Sequence, residues 1–76
     1  MREAQWKKVL DYLKKHHRGI TSMRAFWRFR ITRLSARIYE LREKGYSIHT
    51  FKEPNTFTVG THARYVLINN EPELFI

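Results

Sequence analysis

The stretch FRITRLSARIYELREKGYSI, residues 29–48, combines a regular apolar pattern with an unusual density of arginine. Four apolar side chains recur in it at intervals of three, four and three residues: Ile31, Leu34, Ile38 and Leu41. Such spacing predicts one buried stripe along a helix. Thr32 is the expected N-cap and Gly45 the C-terminal stop, so the prediction is a helix over residues 32–44.

The arginines of this stretch point to a polyanionic partner. Arg28 and Arg30 precede the helix, and its faces outside the apolar stripe carry Thr32, Arg33, Ser35, Ala36, Arg37 and Tyr39. Small residues would let such a helix approach the floor of the DNA major groove, where arginine binds guanine or phosphate. The alternative for Arg37 is an ion pair with Glu40, three residues on. The helix dipole accounts for a cation at Arg42, and Tyr39 either reaches phosphate or packs on neighbouring structure.

The residues before this stretch predict two further helices and a very short strand. A helical stripe formed by Trp6, Val9, Leu10 and Leu13 predicts an amphipathic helix over about residues 3–17, with Gly19 as its C′ residue. Ile20 suits a strand of one or two residues, and Thr21 or Ser22 caps a second helix that ends near residue 29. We place Trp27 in the core, since small cores recruit large aromatics, although an exposed tryptophan would mark a partner surface.

The residues after it predict a β-hairpin. YSIHTF (46–51) and ARYVLI (63–68) are rich in β-forming residues, and about ten residues with Pro54 and Gly60 separate them. Three helices followed by a hairpin predict an α+β winged helix-turn-helix, with helix 32–44 as the recognition helix. We expect one domain over residues 1–70 and a tail over 71–76.

Charge and composition narrow the function further. The 76 residues carry a net charge of +8, and residues 1–46 hold 13 basic and 4 acidic side chains. This asymmetry favours nucleic acid as the partner. With no cysteine, and with His16, His17, His49 and His62 lacking ligand spacing, we expect no metal and no cofactor. No catalytic set is evident, so we expect no enzyme. Without a membrane span or a signal-peptide pattern, a cytoplasmic location is expected.

The predicted wing between the two strands has little charge. Lys52 and Arg64 are its candidate cations for DNA contact, and polar residues such as Asn55 and Thr58 could reach phosphate or the minor groove. Phe57 stands between polar neighbours and is either tucked under the wing or exposed at its tip.

The segment ITSMRAFWRFRITRLSARIYELREKGYSI, residues 20–48, resembles the small helix-turn-helix domain common in bacteriophage genomes. That pattern reads approximately I-T-x-x-x-A-x-x-x-F-G-I-x-R-L-A-A-R-I-x-x-L-R-x-x-G-Y-x-I, and its closing A-R-Y-x-L matches residues 63–67 here. The resemblance extends over about residues 9–67. It implies DNA binding in a bacterial host cell, as a phage or prophage regulator, excisionase-like factor or replication accessory. This chain has Arg30 where the pattern has glycine, so a positive φ there would cost about 1 kcal/mol or more.

A different class of function stays open at this point. A winged helix can also bind a protein, as an inhibitor or adaptor of a host enzyme, and Trp27, Phe57 and the apolar end of the chain would suit that role. The basic third helix argues against it. A single module reads few base pairs, so a homo-oligomer or a cooperative array on DNA is expected. The last three residues, Leu74, Phe75 and Ile76, would dock either on their own domain or on a neighbouring copy.

Overall fold

A computed structural model describes residues 4–68, and within this range the chain forms three helices and three strands. In order the elements are α1 (Gln5–Lys15), β1 (Ile20–Thr21), α2 (Ser22–Phe29), α3 (Leu34–Glu43), β2 (Ile48–Pro54) and β3 (Thr61–Leu67). The strands form one antiparallel sheet in the order β1-β3-β2. The predicted α+β winged helix-turn-helix is therefore confirmed, including its two-residue first strand.

Ten buried apolar side chains form the core: Val9, Leu10, Leu13, Ile20, Ala25, Ile31, Leu34, Ile38, Leu41 and Ile48. The whole predicted stripe of the third helix is among them, each member at most 2% exposed. Three of the four stripe residues of α1 are buried, and Trp6 packs against them at the edge. No polar or charged side chain within residues 4–68 is buried. Apolar periodicity therefore located the core of the helical layer correctly.

The second helix contributes less to the core than expected. Ala25 is its one buried residue, with Phe29 partly buried beside it. Trp27 is 68% exposed, so its predicted place in the core is wrong. Successive helical residues are about 100° apart, which turns Trp27 away from the side that Ala25 and Phe29 present to the core. Met23 is exposed as well, at 70%.

The third helix begins one residue later than the expected N-cap at Thr32 implied. Arg33, and not Thr32, is its N-cap, and the carbonyl of Arg33 accepts the N–H of Ala36 at 3.1 Å. Thr32 lies in the turn before the helix and is exposed. The helix starts later because residues 30–33 form the turn after α2. Within this turn the chain changes direction and buries Ile31 before it becomes helical.

Each of the two helices of the helix-turn-helix is followed by a residue of positive φ. Gly45 follows α3 with φ 101°, and its N–H bonds to the Arg42 carbonyl at 3.0 Å. The N–H of Tyr46 reaches the Leu41 carbonyl at 3.1 Å, which completes a Schellman motif at the glycine stop that the sequence predicted. Arg30 ends α2 at φ 60° and ψ 30°, and its N–H bonds to the Phe26 carbonyl at 2.8 Å. Arg30 is therefore in the left-handed region that its glycine equivalent would occupy without strain.

Gly19 has a different role from the predicted one. The first helix ends at Lys15, too early for Gly19 to be its C′ residue. Gly19 has φ 88° and lies against β3, where an added β carbon would stand 2.0 Å from the Tyr65 carbonyl oxygen. The neighbouring Ile20 pairs with Tyr65 in the sheet. Glycine is needed here for a close backbone approach that lets β1 join the hairpin.

The hairpin is longer and its loop shorter than the β-forming runs indicated. Pairing extends from Ile48 opposite Leu67 to Pro54 opposite Thr61, which leaves a six-residue loop, residues 55–60, where about ten were expected. Backbone pairing continues past the β-forming runs because polar side chains there bond across the strands. The predicted tail, residues 71–76, lies outside the described residues.

Arg42 fastens the hairpin to the end of α3. Its guanidinium donates to the Ile48 carbonyl at 3.1 and 2.6 Å and to the Thr50 hydroxyl at 2.9 Å. Arg42 therefore has a second role besides its favourable interaction with the helix dipole: it links α3 to the sheet.

Gly19→Ala should destabilise the protein by more than about 2 kcal/mol, because the added methyl group adds a steric clash to backbone strain. Gly60→Ala is the matched control, since Gly60 also has positive φ but its added β carbon would meet only the Asn55 amide nitrogen at 3.4 Å. That control should lose about 1 kcal/mol. Urea unfolding of the two variants measures the difference, and equal losses would contradict the close-approach explanation.

Arg30→Gly should raise the free energy of unfolding by about 1 kcal/mol, because glycine adopts positive φ without steric cost. Arg28→Gly makes the same chemical change two residues earlier, inside α2, where it should lower that free energy by about 1 kcal/mol. Thermal unfolding of both variants tests the prediction. A loss of stability in both would show that the Arg30 side chain outweighs the backbone strain.

Candidate nucleic-acid interface

The face of α3 that points away from the core carries the residues predicted to read DNA. Ser35 and Tyr39 are exposed on it, and Ala36 is partly exposed between them. Tyr39 is 64% exposed. Since the buried stripe occupies the opposite side of the helix, this face is presented to solvent without a covering element from residues 4–68. Small side chains at its centre leave a surface that a groove floor can approach closely.

The N-terminus of α3 is open to an anion. Arg33 makes no side-chain cap, and the first turn contains no acidic residue. The exposed side chains of Arg30 and Arg33 lie immediately before it. The positive end of a helix dipole, free amide groups and two guanidinium groups together favour negative charge. This end of the helix can hold phosphate oxygens while the following turn faces a groove.

Arg37 is already engaged within the protein. Its Nη1 donates to the Gln5 side-chain oxygen at 3.0 Å, and its Nε lies 3.1 Å from Glu40 Oε1. The side chain is 27% exposed. The Glu40 ion pair that the sequence offered as an alternative is thus present within α3, and the Gln5 hydrogen bond links α3 to the start of α1. A DNA contact by Arg37 stays a prediction, and it would have to compete with these two partners.

Two other predicted cations, Arg28 and Lys52, lie at the end of α2 and in the hairpin. Arg28 is exposed near the end of α2, beside Lys8 and Lys15 of α1. Lys52 is exposed in the middle of β2, opposite Ala63. The fold therefore places Arg28 against α1, with Asp11 also at this surface, whereas Lys52 belongs to the hairpin.

Arg64 is the centre of a side-chain network in the wing. Its Nε donates to Glu53 Oε2 at 2.6 Å, and its Nη1 donates to the Arg18 carbonyl. Glu53 Oε1 also lies 3.2 Å from His62 Nε2. His62 Nδ1 in turn is 2.8 Å from the side-chain oxygen of Asn55. These contacts hold the Arg64 side chain in place within the protein. A contact between Arg64 and DNA stays a prediction.

The network changes the acidity of its carboxylate. The hydrogen bond from Arg64 holds the pKa of Glu53 below its ordinary value of 4.5, against a smaller opposing effect of desolvation. The charge of Arg64 and the His62 hydrogen bond act in the same direction as the main cause. A carboxylate held in its charged form keeps the wing strands joined by ionic hydrogen bonds.

A basic depression that the sequence did not reveal lies at the C-terminal end of α1. About 500 Å³ in volume, it is lined by Tyr12, Lys15, His16, His17, Arg18, Gly19, Thr21, Arg24 and Arg64. Four of these residues, Lys15, His16, His17 and Arg18, are consecutive in the chain. The added cations come from α2 and from β3, and Arg64 is 46 residues away from Arg18 in the chain. Only the strand register brings them together.

Other kinds of site find no support in the described part of the chain. Within residues 4–68 no three histidine or acidic side chains are grouped so that they could hold a metal ion. No helix among these residues is long and apolar enough to cross a membrane.

Glu53→Gln should make stability less dependent on pH. Because the folded pKa of Glu53 is lowered, its contribution is complete above the unfolded pKa and is lost as pH falls through the folded value. The variant should therefore melt below the wild type at pH 7, and the gap should close in acid. Thermal unfolding measured from pH 7 to pH 2 tests this. A gap that widens in acid would contradict the sign.

Comparison with known proteins agrees with this geometry. The family model described as a winged helix-turn-helix domain matches residues 4–70. No curated protein and no solved structure gives a significant match. Since the matched region covers most of the chain, the protein belongs to the winged helix-turn-helix domain family, and membership suggests DNA binding.

Proposed function

We propose that this winged helix-turn-helix protein binds double-stranded DNA and places α3 in the major groove. The observation that carries the proposal is the N-terminus of α3, which is uncapped and free of acid, with Arg30 and Arg33 exposed beside it. Major grooves admit an α-helix, and the N-terminal turns of a recognition helix are the part that reaches base edges.

The proposed roles follow from the freedom of each side chain. The Arg33 side chain has no partner among residues 4–68, so its guanidinium can make two hydrogen bonds to guanine or clamp a phosphate. Ser35 and Ala36 face the groove floor without filling it. Tyr39, one turn further, reaches either a base edge or the backbone. Arg30 contacts phosphate, since its guanidinium carbon lies only loosely over the Phe26 ring, 5.8 Å from the centroid.

Long-range charge supports the same partner. Residues 1–46 hold 13 basic and 4 acidic side chains, and the basic depression concentrates part of this charge beside α2. A duplex carries two charges per base pair, so such a surface gathers it from solution before specific contacts form.

Within this function we propose a regulatory or excisionase-like role in phage or prophage biology. The support is the resemblance of residues 20–48 to the phage helix-turn-helix pattern. Proteins of this kind act in the bacterial cytoplasm.

The second candidate is a module that binds a host protein, and one observation favours it. Trp27 is 68% exposed beside the half-exposed Phe26, with the two rings edge to face at 5.8 Å. Exposed aromatic pairs are typical of protein interfaces. The exposed cations before α3, Arg30 and Arg33, would have no purpose in that case, so the salt dependence of DNA binding distinguishes the candidates.

The proposed function predicts tight, salt-dependent binding to duplex DNA that depends on Arg33. The logarithm of the binding constant should fall with the logarithm of salt concentration, with a slope of about −0.9 for each phosphate neutralised. Arg33→Ala should cost about 1–3 kcal/mol on a selected site and relax its specificity. Fluorescence anisotropy on duplexes selected from a random pool measures both quantities.

Lys14→Ala is the matched control, because it removes one exposed cation from α1 and leaves α3 intact. This control should weaken selected and random duplexes alike and reduce the salt slope by at most about one phosphate. A flat salt dependence would count against DNA as the partner. Equal effects of the two substitutions on specificity would contradict the assignment of α3.

A further inference from the structure

The loop at residues 55–60, here called the wing tip, is apolar where a DNA-binding wing would be expected to carry charge. Phe57 is 95% exposed and Val59 is fully exposed. Their neighbours Thr56 and Thr58 are uncharged, and no lysine or arginine occurs in the loop. At this exposure the Phe57 ring contributes almost nothing to the folding of its own domain, and it is free to contact a partner.

The wing tip is held in a defined shape. The Asn55 N–H bonds to the Gly60 carbonyl at 3.0 Å, which closes the loop across its base. The Asn55 side-chain amide contacts the Val59 carbonyl at 3.4 Å, and its oxygen meets His62. From His62 the network continues through Glu53 to Arg64. The apolar side chains therefore project from a braced hairpin, so little conformational freedom is lost when they are inserted.

The wing tip lies close to the surface that attracts phosphate. An apolar groove of about 520 Å³ separates it from the start of α2, lined by Thr21, Ser22, Met23, Asn55, Thr56, Phe57, Thr58 and His62. Thr21 also lines the basic depression. Arg64, another residue of that depression, is bonded to the wing through Glu53. A strand of DNA drawn to the depression would therefore pass next to Phe57.

Size and charge favour DNA over protein as the occupant. A stable protein interface buries about 800 Å² on each partner, far more than two side chains on a narrow loop provide. A side chain that wedges into DNA needs only to enter between two base pairs, and phenylalanine is one of the residues that do so. The adjoining cations match a polyanion, and the threonine hydroxyl groups can bond to sugar or phosphate.

We propose that Phe57 is an intercalating wedge: with α3 in the major groove, the wing tip enters the adjacent minor groove and Phe57 inserts between two base pairs. Insertion unstacks that step and kinks the duplex, and the bend brings more of the backbone onto the basic depression. Val59 lies against the sugars beside the opened step. This inference depends on the proposed DNA binding and adds to it a specific deformation of the DNA.

The test compares Phe57→Ala with Phe57→Leu, since leucine is also a known wedge residue. The probe is a short duplex selected by the wild-type protein and labelled at both ends for energy transfer, with 2-aminopurine placed in turn at each step. Wild-type protein should bend it by about 20–90° and raise 2-aminopurine fluorescence at one step. Phe57→Leu should keep most of both signals. Phe57→Ala should lose both and still bind in low salt, because every cation remains.

Each other outcome has a defined meaning. Because Phe57 is almost fully exposed, all variants should share the melting temperature of the wild type, which shows that a lost signal does not come from unfolding. Equal bending by wild type and Phe57→Ala would overturn the wedge. So would a wild-type dimer in sedimentation that Phe57→Ala converts to a monomer, which would make the wing tip a protein contact. Failure of the wild type to bind any duplex would contradict the proposed function itself, whereas binding without bending contradicts the wedge alone.

Discussion

The close approach of Gly19 to the Tyr65 carbonyl positions the two halves of the molecule relative to each other. On one side of this contact is the turn between α1 and α2, and on the other is the central strand of the sheet. Pairing of β1 with β3 depends on it, and that pairing places the start of α2 beside the wing. The basic depression and the groove under the wing tip both lie along this junction. The close contact of Gly19 with the Tyr65 backbone thus determines that the basic depression and the apolar groove lie next to each other.

The arginines that make the sequence unusual divide into two groups in the structure. Arg37, Arg42 and Arg64 are bonded within the protein, to α1, β2 and the wing respectively. Arg28, Arg30 and Arg33 have exposed side chains near the turn before α3. The first group stabilises a domain with a small core, and Arg42 and Arg64 each make more than one hydrogen bond from one guanidinium, which lysine could not do in the same geometry. The density of arginine is therefore explained partly by folding and partly by the proposed partner.

Sequence patterns were informative where one local rule decides the conformation. The apolar stripe of α3 and the Gly45 stop depend on spacing or on single-residue geometry, and both were predicted, as was Thr21 as one of two candidate caps of α2. Trp27 was mispredicted because the width of the contact between helices is a tertiary property. The start of α3 was mispredicted because the path of a tight turn is one too. The basic depression and the wing network were missed for a similar reason, since their members are distant in the chain and meet through strand register.

The sheet order has a consequence for solubility. With β3 in the centre, β2 is an edge strand, and no other strand within residues 4–68 pairs with its outer side. Unpaired edges invite strand addition by a second copy, which is the first step of aggregation. Here β2 carries Lys52 in its middle and ends at Pro54, and Arg42 occupies the carbonyl of Ile48 at its start. Each of these features disfavours a further strand, so the protein is protected from polymerising through the edge of its own hairpin.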